Sequence, residues 1–378
     1  MNLAYRDIRH NFGRFLLTCV GLSLLLGVVL SMIGIYRGLV VDALTLARAP
    51  AADLWVVQAG TRGPFAEASR IPGDTRAAIA RLGGVAEAGA VTFQTAETFH
   101  SGRKLRFQIV GYETGRPGGP ERIAEGRSIA RAHFEMIADA RSGLSVGEVI
   151  GLGRDAYTVV GTTRDLVASG GDPVVFVALA DAQSLQFELD PAAMRRERAR
   201  SEAAAANLYT VNAVVARVSP GVDPETVAGS VRRWKHLAAI TQAEQELILT
   251  RSVVEQARRQ IGLFTSILLV VSTVIIALIV YTMTMDKRRE IATLKLIGAP
   301  DRTIAGLVLQ QALAMGVIGF GIGALLISTM KDLFPRRVVL QPEDGLALAF
   351  VVIAVCVVAS GLGMRLALKI DPATALGG

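Results

Sequence analysis

The chain has 378 residues, of which 51% are apolar and 19% are charged, and its mean hydropathy is +0.43. It is too apolar for an ordinary soluble protein and too charged to lie wholly in lipid, so the charged residues must be concentrated outside a membrane. The net charge of +7 would suit nucleic acid, but the basic residues stand mostly beside apolar runs without a nucleic-acid motif, so we expect no nucleic-acid partner.

Four long apolar runs without charge predict transmembrane helices. About 20 apolar residues cross the ~30 Å hydrocarbon core of a bilayer. The first run could instead be a signal peptide, since arginines precede it, but its apolar core is longer than the 7–15 residues typical of such a peptide. We therefore interpret all four runs as membrane anchors: 15–36, 261–285, 304–328 and 346–364.

Both cysteines lie inside these runs. Cys19 is in the first run and Cys356 is in the fourth. Since they have no partner at a spacing typical of a disulfide framework or a metal site, we expect them to pack as small apolar side chains.

The positions of lysine and arginine predict the orientation in the membrane. Basic residues precede the first span, fill the segment between the second and third, and follow the fourth, whereas the loop between the third and fourth is balanced in charge. The positive-inside rule then places segments 1–14, 286–303 and 365–378 in the cytoplasm. Segments 37–260 and 329–345 then lie on the outer side of the membrane, and a domain as long as 37–260 crosses regardless of its charge.

The long outer segment, 37–260, predicts a folded α/β domain. Five runs rich in β-branched residues indicate strands: 53–59, 107–113, 157–163, 173–179 and 210–218. Stretches between them predict helices: 73–82, 190–206 and 223–234. Asp223 is a good N-cap for the last of these, with Pro224 at the first helical position. The fold class is therefore α-helical in the membrane, with four spans, and α/β outside it.

A heptad pattern extends the second span outward. Residues at spacings of four and three form a seam: Ala243, Leu247, Thr250, Val254, Ala257 and Ile261. One helix from Gln242 to Met285 would be about 66 Å long. The first span also continues through 38–47, so we predict that the two helices leave the membrane together as a stalk, with the seam between them. The alternative is that the residues before the second span form only a short amphipathic helix that leads into the membrane.

Sequence motifs for catalysis and for ion coupling are sparse. The chain contains no P-loop motif and no H-E-x-x-H. Residues 143–147 match G-x-S-x-G, but the following sequence predicts a β-hairpin where a nucleophile elbow needs a helix. The four spans contain no charged residue or histidine of the kind that ion-coupled carriers use. Glycines 316, 319, 321 and 323, with Ser23 and Gly27, predict close helix packing.

The segment between the second and third spans is rich in charged residues, and 287–300 read KRREIATLKLIGAP. The pattern predicts a helix of about three turns that stops at Gly298, with Pro300 just beyond, and Asp301 then caps the third span. Helices lying on lipid headgroups have a similar composition, which leaves that alternative open. Three apolar residues recur at three-residue spacing and could fill a groove on another protein: Ile291, Leu294 and Ile297.

This loop resembles the R-R-R-E-I-G-x-L-(R/K)-A-(I/L)-G-A segment of permeases of the MacB/FtsX/LolC-E superfamily, the type VII ABC transporters. It departs from that pattern at Ala292 and Leu296. The resemblance extends to E-G-R at 125–127, V-V-G at 159–161, P-G-x-D-P at 220–224 and D-P-x-x-A-L at 371–376. Residues 52–58 and 3–9 are most similar to the DevC type, which lacks a fused ATPase and works with a periplasmic adaptor.

The resemblance implies several partners. Two permease copies form a homodimer, and each binds a cytoplasmic ABC ATPase subunit that carries the ATP and Mg, so this chain itself needs no cofactor, metal or catalytic site. Only 14 residues precede the first span, so the ATPase is expected to be a separate polypeptide. Membrane lipids and a periplasmic adaptor are further expected partners. Seven loop residues are implied in ATPase coupling: Arg289, Glu290, Ile291, Leu294, Lys295, Ile297 and Gly298.

Three functions are compatible with such a permease. The first is export by mechanotransmission, in which ATP closes the ATPases, the loop helix moves, and the stalk residues Ala243, Leu247, Val254 and Ala257 transmit the movement to the outer domain. The second is an FtsX-like regulator of an outer-side hydrolase. The third is lipoprotein release of the LolC-E kind.

Overall fold

A computed structural model describes residues 12–65, 67–168, 170–189, 210–286, 293, 297, 300–334 and 337–368. The chain divides into two compact units: an outer unit from Leu39 to Gln256, and a membrane unit formed by the segments on either side of it. The described α-helices are α1 (Phe12–Arg48), α2 (Thr75–Ala80), α3 (Leu179–Leu189), α4 (Pro224–Arg232), α5 (Gln242–Asp286), α6 (Asp301–Met330) and α7 (Pro342–Leu368).

The described strands all belong to the outer unit. They are β1 (Leu54–Gln58), β2 (Ile71–Pro72), β3 (Val85–His100), β4 (Arg103–Tyr112), β5 (Glu125–Gly126), β6 (Glu135–Asp139), β7 (Val149–Leu152), β8 (Asp155–Thr163), β9 (Val174–Ala178), β10 (Thr210–Val211), β11 (Ala213–Val218) and β12 (Leu237–Thr241). Short 3-10 helices lie at Ala140–Ser142 and Lys331–Leu333.

Four helices in the described part of the chain are long and apolar enough to cross a membrane: α1, α5, α6 and α7. With the α/β unit between the first and second of them, the predicted fold class is confirmed. Two of the helices extend past their apolar runs. The first continues to Arg48, and α5 begins at Gln242, as the sequence predicted.

The membrane unit is packed through small residues. A Cβ atom on Gly323 would lie 2.6 Å from the carbonyl oxygen of Ser23, and one on Gly316 would lie 2.5 Å from the Sγ of Cys356. Without a side chain, these positions let neighbouring helices approach closely. The predicted packing role is therefore confirmed for Gly316 and Gly323. Gly321 differs, because a Cβ there would meet nothing within 4 Å. Both cysteines of the chain are free and buried, as expected.

The outer unit is built on one mixed sheet. Its strand order is β12-β1-β11-β3-β4-β9-β6-β8-β5, and β7 pairs with β8. Helices α2 and α4 cover the half that contains β1 and β11, where Ile79 and Val231 are completely buried. The other half encloses a core in which Phe107, Met136 and Tyr157 are buried.

This second half of the sheet curls until β3 meets the segment around β7. Thr98 Oγ1 donates to the carbonyl oxygen of Gly151 at 2.6 Å, and His100 Nε2 lies 2.5 Å from Glu148 Oε1. These bonds join β3 to the segment around β7, although β4, β9, β6 and β8 separate the two in the strand order. The result is a nearly closed barrel around the core of Phe107 and its neighbours.

The predicted strands and two of the predicted helices are confirmed. Strands β1, β9 and β11 lie within the predicted runs, whereas β4 and β8 overlap theirs but begin earlier, at Arg103 and Asp155. Helices α2 and α4 match the helices predicted at 73–82 and 223–234. The Oδ1 of Asp223 accepts from the backbone N of Glu225 at 3.1 Å, which is the expected N-cap. The helix predicted at 190–206 lies outside the described residues.

The β-hairpin predicted after residues 143–147 is also confirmed, as β7 and β8. No helix follows Ser145, whose backbone N donates to Glu148 Oε2 at 2.9 Å. Ser145 is exposed and is the first residue of a β-turn. A nucleophile elbow places its serine between a strand and a helix, so the local backbone does not form one.

Candidate functional site

The segment between α5 and α6 is the predicted ATPase-coupling loop. Six of its seven predicted contact residues lie outside the described residues: Arg289, Glu290, Ile291, Leu294, Lys295 and Gly298. Thr293 is helical, and the backbone N of Ile297 donates to its carbonyl oxygen at 3.1 Å. This bond has the i to i−4 pattern of an α-helix. Ile297 is 81% exposed, so the one described member of the apolar triplet is available to a partner.

The start of α6 differs from the prediction. Asp301 is the first helical residue, and the cap position is occupied by Pro300, without a side-chain hydrogen bond to the helix. The expectation that Asp301 caps this helix is therefore wrong. Proline has an extended backbone here, with ψ at 146°, and this conformation serves as the helix entry.

The outer end of α5 is fixed by a capping box. Glu244 N donates to Thr241 Oγ1 at 3.3 Å, and Thr241 N donates to Glu244 Oε2 at 3.0 Å. The same carboxylate accepts from Arg232 Nη2 at 2.6 Å, which ties α5 to the end of α4. This capping box was not among the sequence predictions, although the T-x-x-E pattern at 241–244 is its usual signal.

The outer ends of α1 and α5 are joined directly. Arg48 Nε and Nη2 donate to the two carboxylate oxygens of Glu246 at 2.7 and 2.5 Å. One turn earlier, Gln242 Oε1 accepts from Trp55 Nε1 at 3.0 Å. Trp55 is completely buried in β1. The first turn of α5 is therefore bonded both to the last turn of α1 and to the sheet.

The face of α5 that packs in the outer unit is not the predicted seam. Leu247 is 52% exposed and Ala243 is also exposed, whereas Gln245 and Leu249 are buried. The prediction that Ala243 and Leu247 pack on the extension of α1 is therefore wrong. The heptad pattern identified one row of apolar side chains along α5, but the residues that are buried in the outer unit belong to a neighbouring row of the same helix. The side chains of Val254 and Ala257 lie outside the described set.

In the membrane unit, α1 is held by the first turn of α7 and by the segment that precedes it. Arg37 makes a two-fold ion pair with Asp344, in which Nη2 donates to Oδ1 at 2.7 Å and Nε donates to Oδ2. Val339 N donates to the carbonyl oxygen of Gly34 at 3.0 Å, and a Cβ on Gly38 would lie 1.9 Å from the carbonyl oxygen of Arg337. Only glycine at position 38 allows this approach.

Two motifs noted in the sequence meet in space. Gly126 of E-G-R pairs with Gly161 of V-V-G, and a Cβ on Gly126 would lie 2.3 Å from the carbonyl oxygen of Val160. The next residue, Arg127, forms two hydrogen bonds to the buried carboxylate of Glu135 at 2.6 and 3.1 Å. The Arg127 guanidinium and two backbone N–H groups lower the pKa of Glu135 to about 2. These residues fix the chain where β5 joins β8.

Among the described residues, no group of three or more His, Cys, Asp or Glu side chains could hold a metal ion. These parts of the chain instead contain two long helices whose outer ends are fixed, and an exposed apolar residue between α5 and α6.

Comparisons with known proteins agree with this organisation. A family model of the MacB-like periplasmic core domain matches residues 15–234, and a model of the FtsX-like permease C-terminal region matches residues 262–372. An uncharacterized ABC transporter permease of Mycobacterium tuberculosis is 26% identical over 377 residues, and one of Mycobacterium bovis is 24% identical over 379 residues. Both alignments cover 99% of this chain and 99% of the relative.

Two solved structures are also similar. The periplasmic region of MacB from Actinobacillus actinomycetemcomitans aligns with 52% of this chain and 91% of its own, at 7% identity and a TM-score of 0.36. The extracellular domain of the ABC-type transporter YknZ from Gram-positive bacteria aligns with 50% of this chain and 99% of its own, at 10% identity and a TM-score of 0.32.

Proposed function

The chain belongs to the MacB/FtsX family of ABC transporter permeases, and from that premise we propose that it is the membrane subunit of an exporter that works by mechanotransmission. A permease of an ABC transporter acts with an ATPase. We propose that this ATPase is a separate cytoplasmic subunit that carries the ATP and Mg, that it binds the loop at 287–298, and that the permease has no catalytic site of its own.

The observation that carries the proposal is the continuity of α5. It runs as one helix from Gln242 to Asp286, so its inner end borders the loop and its outer end is bonded to Arg48 and Trp55. A continuous α-helix is stiff, because each residue is fixed by a backbone hydrogen bond to its neighbours along the helix. A displacement of the loop would therefore reach the sheet of the outer unit.

We further propose that two copies of the permease form the exporter. The apolar segment of α5 is only 11% buried inside the chain. Its exposed side chains recur at helical spacing, so they form one apolar face that a second copy or lipid would cover: Leu263, Ile267, Val270, Val274 and Leu278. Ala243 and Leu247 are also exposed, but they lie on the opposite side of this helix from that face. A periplasmic adaptor completes the proposed assembly.

The alternatives raised by the sequence use the same helices. An FtsX-like regulator and a LolC-E-like lipoprotein releaser would also transmit movement along α5, and they differ from an exporter in what the outer unit acts on.

The proposal is tested by interrupting α5 between its two ends. Proline in a helix interior removes a backbone hydrogen bond and costs about 3 kcal/mol, so Gln256→Pro should make the helix flexible. In a complex with the ATPase, with a spin label at Ser101 in each copy, ATP binding should change the label–label distance in the parent protein. The proline variant should still bind the ATPase and hydrolyse ATP but lose that distance change.

Gln256→Ala is the matched control, because it preserves the helix, and it should behave as the parent. A proline variant with an unchanged ATP-dependent distance would rule out transmission through α5.

A further inference from the structure

Helix α5 follows the edge strand of the sheet without a loop between them. Strand β12 ends at Thr241 and α5 starts at Gln242. Hinges in proteins are formed by a few loop or element-terminal residues that absorb changes in the backbone angles. The direction in which α5 leaves the sheet therefore depends on the backbone at this junction and on the side chains that hold the first turn of the helix.

One side of this first turn is held by the sheet and by α1. The backbone N of Gln242 donates to the carbonyl oxygen of Asp53 at 3.0 Å, and its Oε1 accepts from Trp55 Nε1 at 3.0 Å. One turn along, the carboxylate of Glu246 accepts from Arg48. Since an α-helix turns by about 100° per residue, Gln242 and Glu246 are about 40° apart and share this side.

The other side of the first turn is held by Arg232, at the end of α4. Its Nη2 donates to Glu244 Oε2 at 2.6 Å. Glu244 lies about 200° around the helix from Gln242, which is nearly the opposite side. The Nε of the same guanidinium donates to the carbonyl oxygen of Ala239, in β12, at 2.9 Å. One side chain therefore bonds to the strand before the junction and to the helix after it.

The guanidinium of Arg232 is itself held in place. Its Nη1 donates to Glu225 Oε1 in the first turn of α4, and α4 is packed on the sheet through the buried side chains of Val227 and Val231. A guanidinium is planar and carries five N–H donors in a fixed geometry, so it can hold three acceptors in one arrangement.

This set of bonds is too exposed to matter chiefly for stability. The side chains of Arg232 and Glu244 are 36% and 45% exposed, and ion pairs at such positions add little to the free energy of unfolding. What the bonds can supply is geometry, because they join three elements at the point where α5 begins.

We propose that Arg232 is a positioning residue that fixes the angle between β12 and α5. With Trp55 and Arg48 on one side of the first turn and Arg232 on the other, α5 cannot tilt at the junction without breaking a hydrogen bond. A displacement carried along α5 would then move β12 and the strands paired with it, and would not be absorbed at Thr241 and Gln242. This second step rests on the proposed function, whereas the fixed angle does not.

The angle is tested in the full-length permease without ATPase or nucleotide. Spin labels on cysteines at Thr226 in α4 and Thr250 in α5, both exposed, report it as a distribution of label–label distances. The labelled permease is diluted with unlabelled permease, so that only pairs within one copy contribute. Arg232→Met keeps the apolar stem but loses all three bonds, and it should at least double the width of the distribution.

The neighbouring arginine provides the matched control. Arg233 is also exposed, and its Nη2 donates to Ser230 Oγ within α4 at 3.1 Å. Arg233→Met should therefore leave the width of the distribution as in the parent. In the complex with the ATPase, Arg232→Met should reduce the ATP-dependent distance change between Ser101 labels by at least half while ATP hydrolysis persists, and Arg233→Met should not.

Equal widths for Arg232→Met and Arg233→Met would overturn the proposal. A broader distribution for Arg232→Met with an unchanged ATP-dependent distance at Ser101 would remove its role in transmission. If the parent itself shows no ATP-dependent change at Ser101, the proposed function is wrong, and the widths still decide whether Arg232 fixes the angle.

A second pair of variants decides if Arg232→Met does not fold. Glu244→Gln keeps an acceptor for the capping box and weakens the charge-assisted bond to Arg232, so it should broaden the distribution. Glu225→Gln weakens the bond that stays within α4, and it should not. Equal widths for these two variants would likewise overturn the proposal.

Discussion

Arg48 and Glu246 are 198 positions apart in the sequence and form a two-fold ion pair between the last turn of α1 and the first turns of α5. The pair lies at the surface, since the Arg48 side chain is 60% exposed and that of Glu246 is 25% exposed. Exposed pairs contribute about 0–1 kcal/mol to stability. Its importance is therefore expected to be geometric, because it holds the ends of the two helices in register.

We expect Arg48→Ala to change stability by less than about 1 kcal/mol and yet to reduce the ATP-dependent distance change between Ser101 labels. Exchanging the charges, with Arg48→Glu and Glu246→Arg together, should restore it. Arg116→Ala is the control, because it removes a similarly exposed pair with Glu113 that joins no long helices. Equal behaviour of Arg48→Ala and Arg116→Ala would show that the pair has no geometric role.

Two glycines of α6 give a matched test of packing in the membrane unit. Gly323→Leu should destabilise the bundle by about 1–3 kcal/mol or more through overpacking, because its Cβ would lie 2.6 Å from the carbonyl oxygen of Ser23. Gly321→Leu should be nearly neutral, since a Cβ there meets nothing within 4 Å. Thermal unfolding of the two variants in detergent measures the difference. Similar loss of stability in both would mean that glycine matters at these positions for another reason.

The orientation follows from the basic residues and can be checked by cysteine labelling. A cysteine at Ser101, in the turn between β3 and β4, should react with a membrane-impermeant maleimide added outside intact spheroplasts. A cysteine at Arg302, next to the loop, should react only after the membrane is opened. The parent protein is the blank, because both native cysteines are buried. The reverse labelling pattern would invert the topology.

The exposed isoleucine of the loop should be an anchor for the ATPase. Ile297→Asp should abolish co-purification of the ATPase, because a charge in a buried apolar contact remains unpaired and costs several kcal/mol. Ile297→Leu keeps an apolar side chain and should retain the complex. Phe99→Asp, which also replaces an exposed apolar residue but on the outer side, should have no effect. Retention of the ATPase by Ile297→Asp would favour a loop that lies on lipid.

The carboxylate of Glu135 should make the stability of the outer unit depend on pH. Its pKa is lowered to about 2 in the folded chain, so its contribution is fully present above the unfolded value of about 4.3 and is lost as pH falls toward 2. Glu135→Gln should cost about 2 kcal/mol at pH 7, since Arg127 loses a charged acceptor. The cost should shrink below pH 4. Glu125→Gln, at an exposed position, should show no such dependence in thermal unfolding.

The sequence predicted the elements that depend on local pattern. Length and hydropathy located the four spans, and the Asp223-Pro224 pair located the start of α4. It did not single out β3, which contains alanine, glutamate and glycine and forms a strand because β4 and β11 pair with both of its edges.

Contacts between distant parts of the chain were harder to predict. The heptad spacing identified an apolar stripe on α5, but which stripe is buried depends on tertiary packing, and the residues buried there are Gln245 and Leu249. The pair of Arg37 with Asp344 joins residues 307 positions apart, and a single sequence holds no signal for that. Only the capping box at Thr241 and Glu244 could have been found from spacing alone.

The curled half of the sheet affects how readily this domain can associate with the strands of other chains. An open sheet exposes a row of unpaired backbone groups at each edge, and such an edge can recruit strands of other chains into aggregates. Here the contact of Thr98 with Gly151 covers the side of the sheet where β7 would otherwise be free. The opposite edge is β12, which is only five residues long. The domain is thus protected from strand-to-strand association by its own shape.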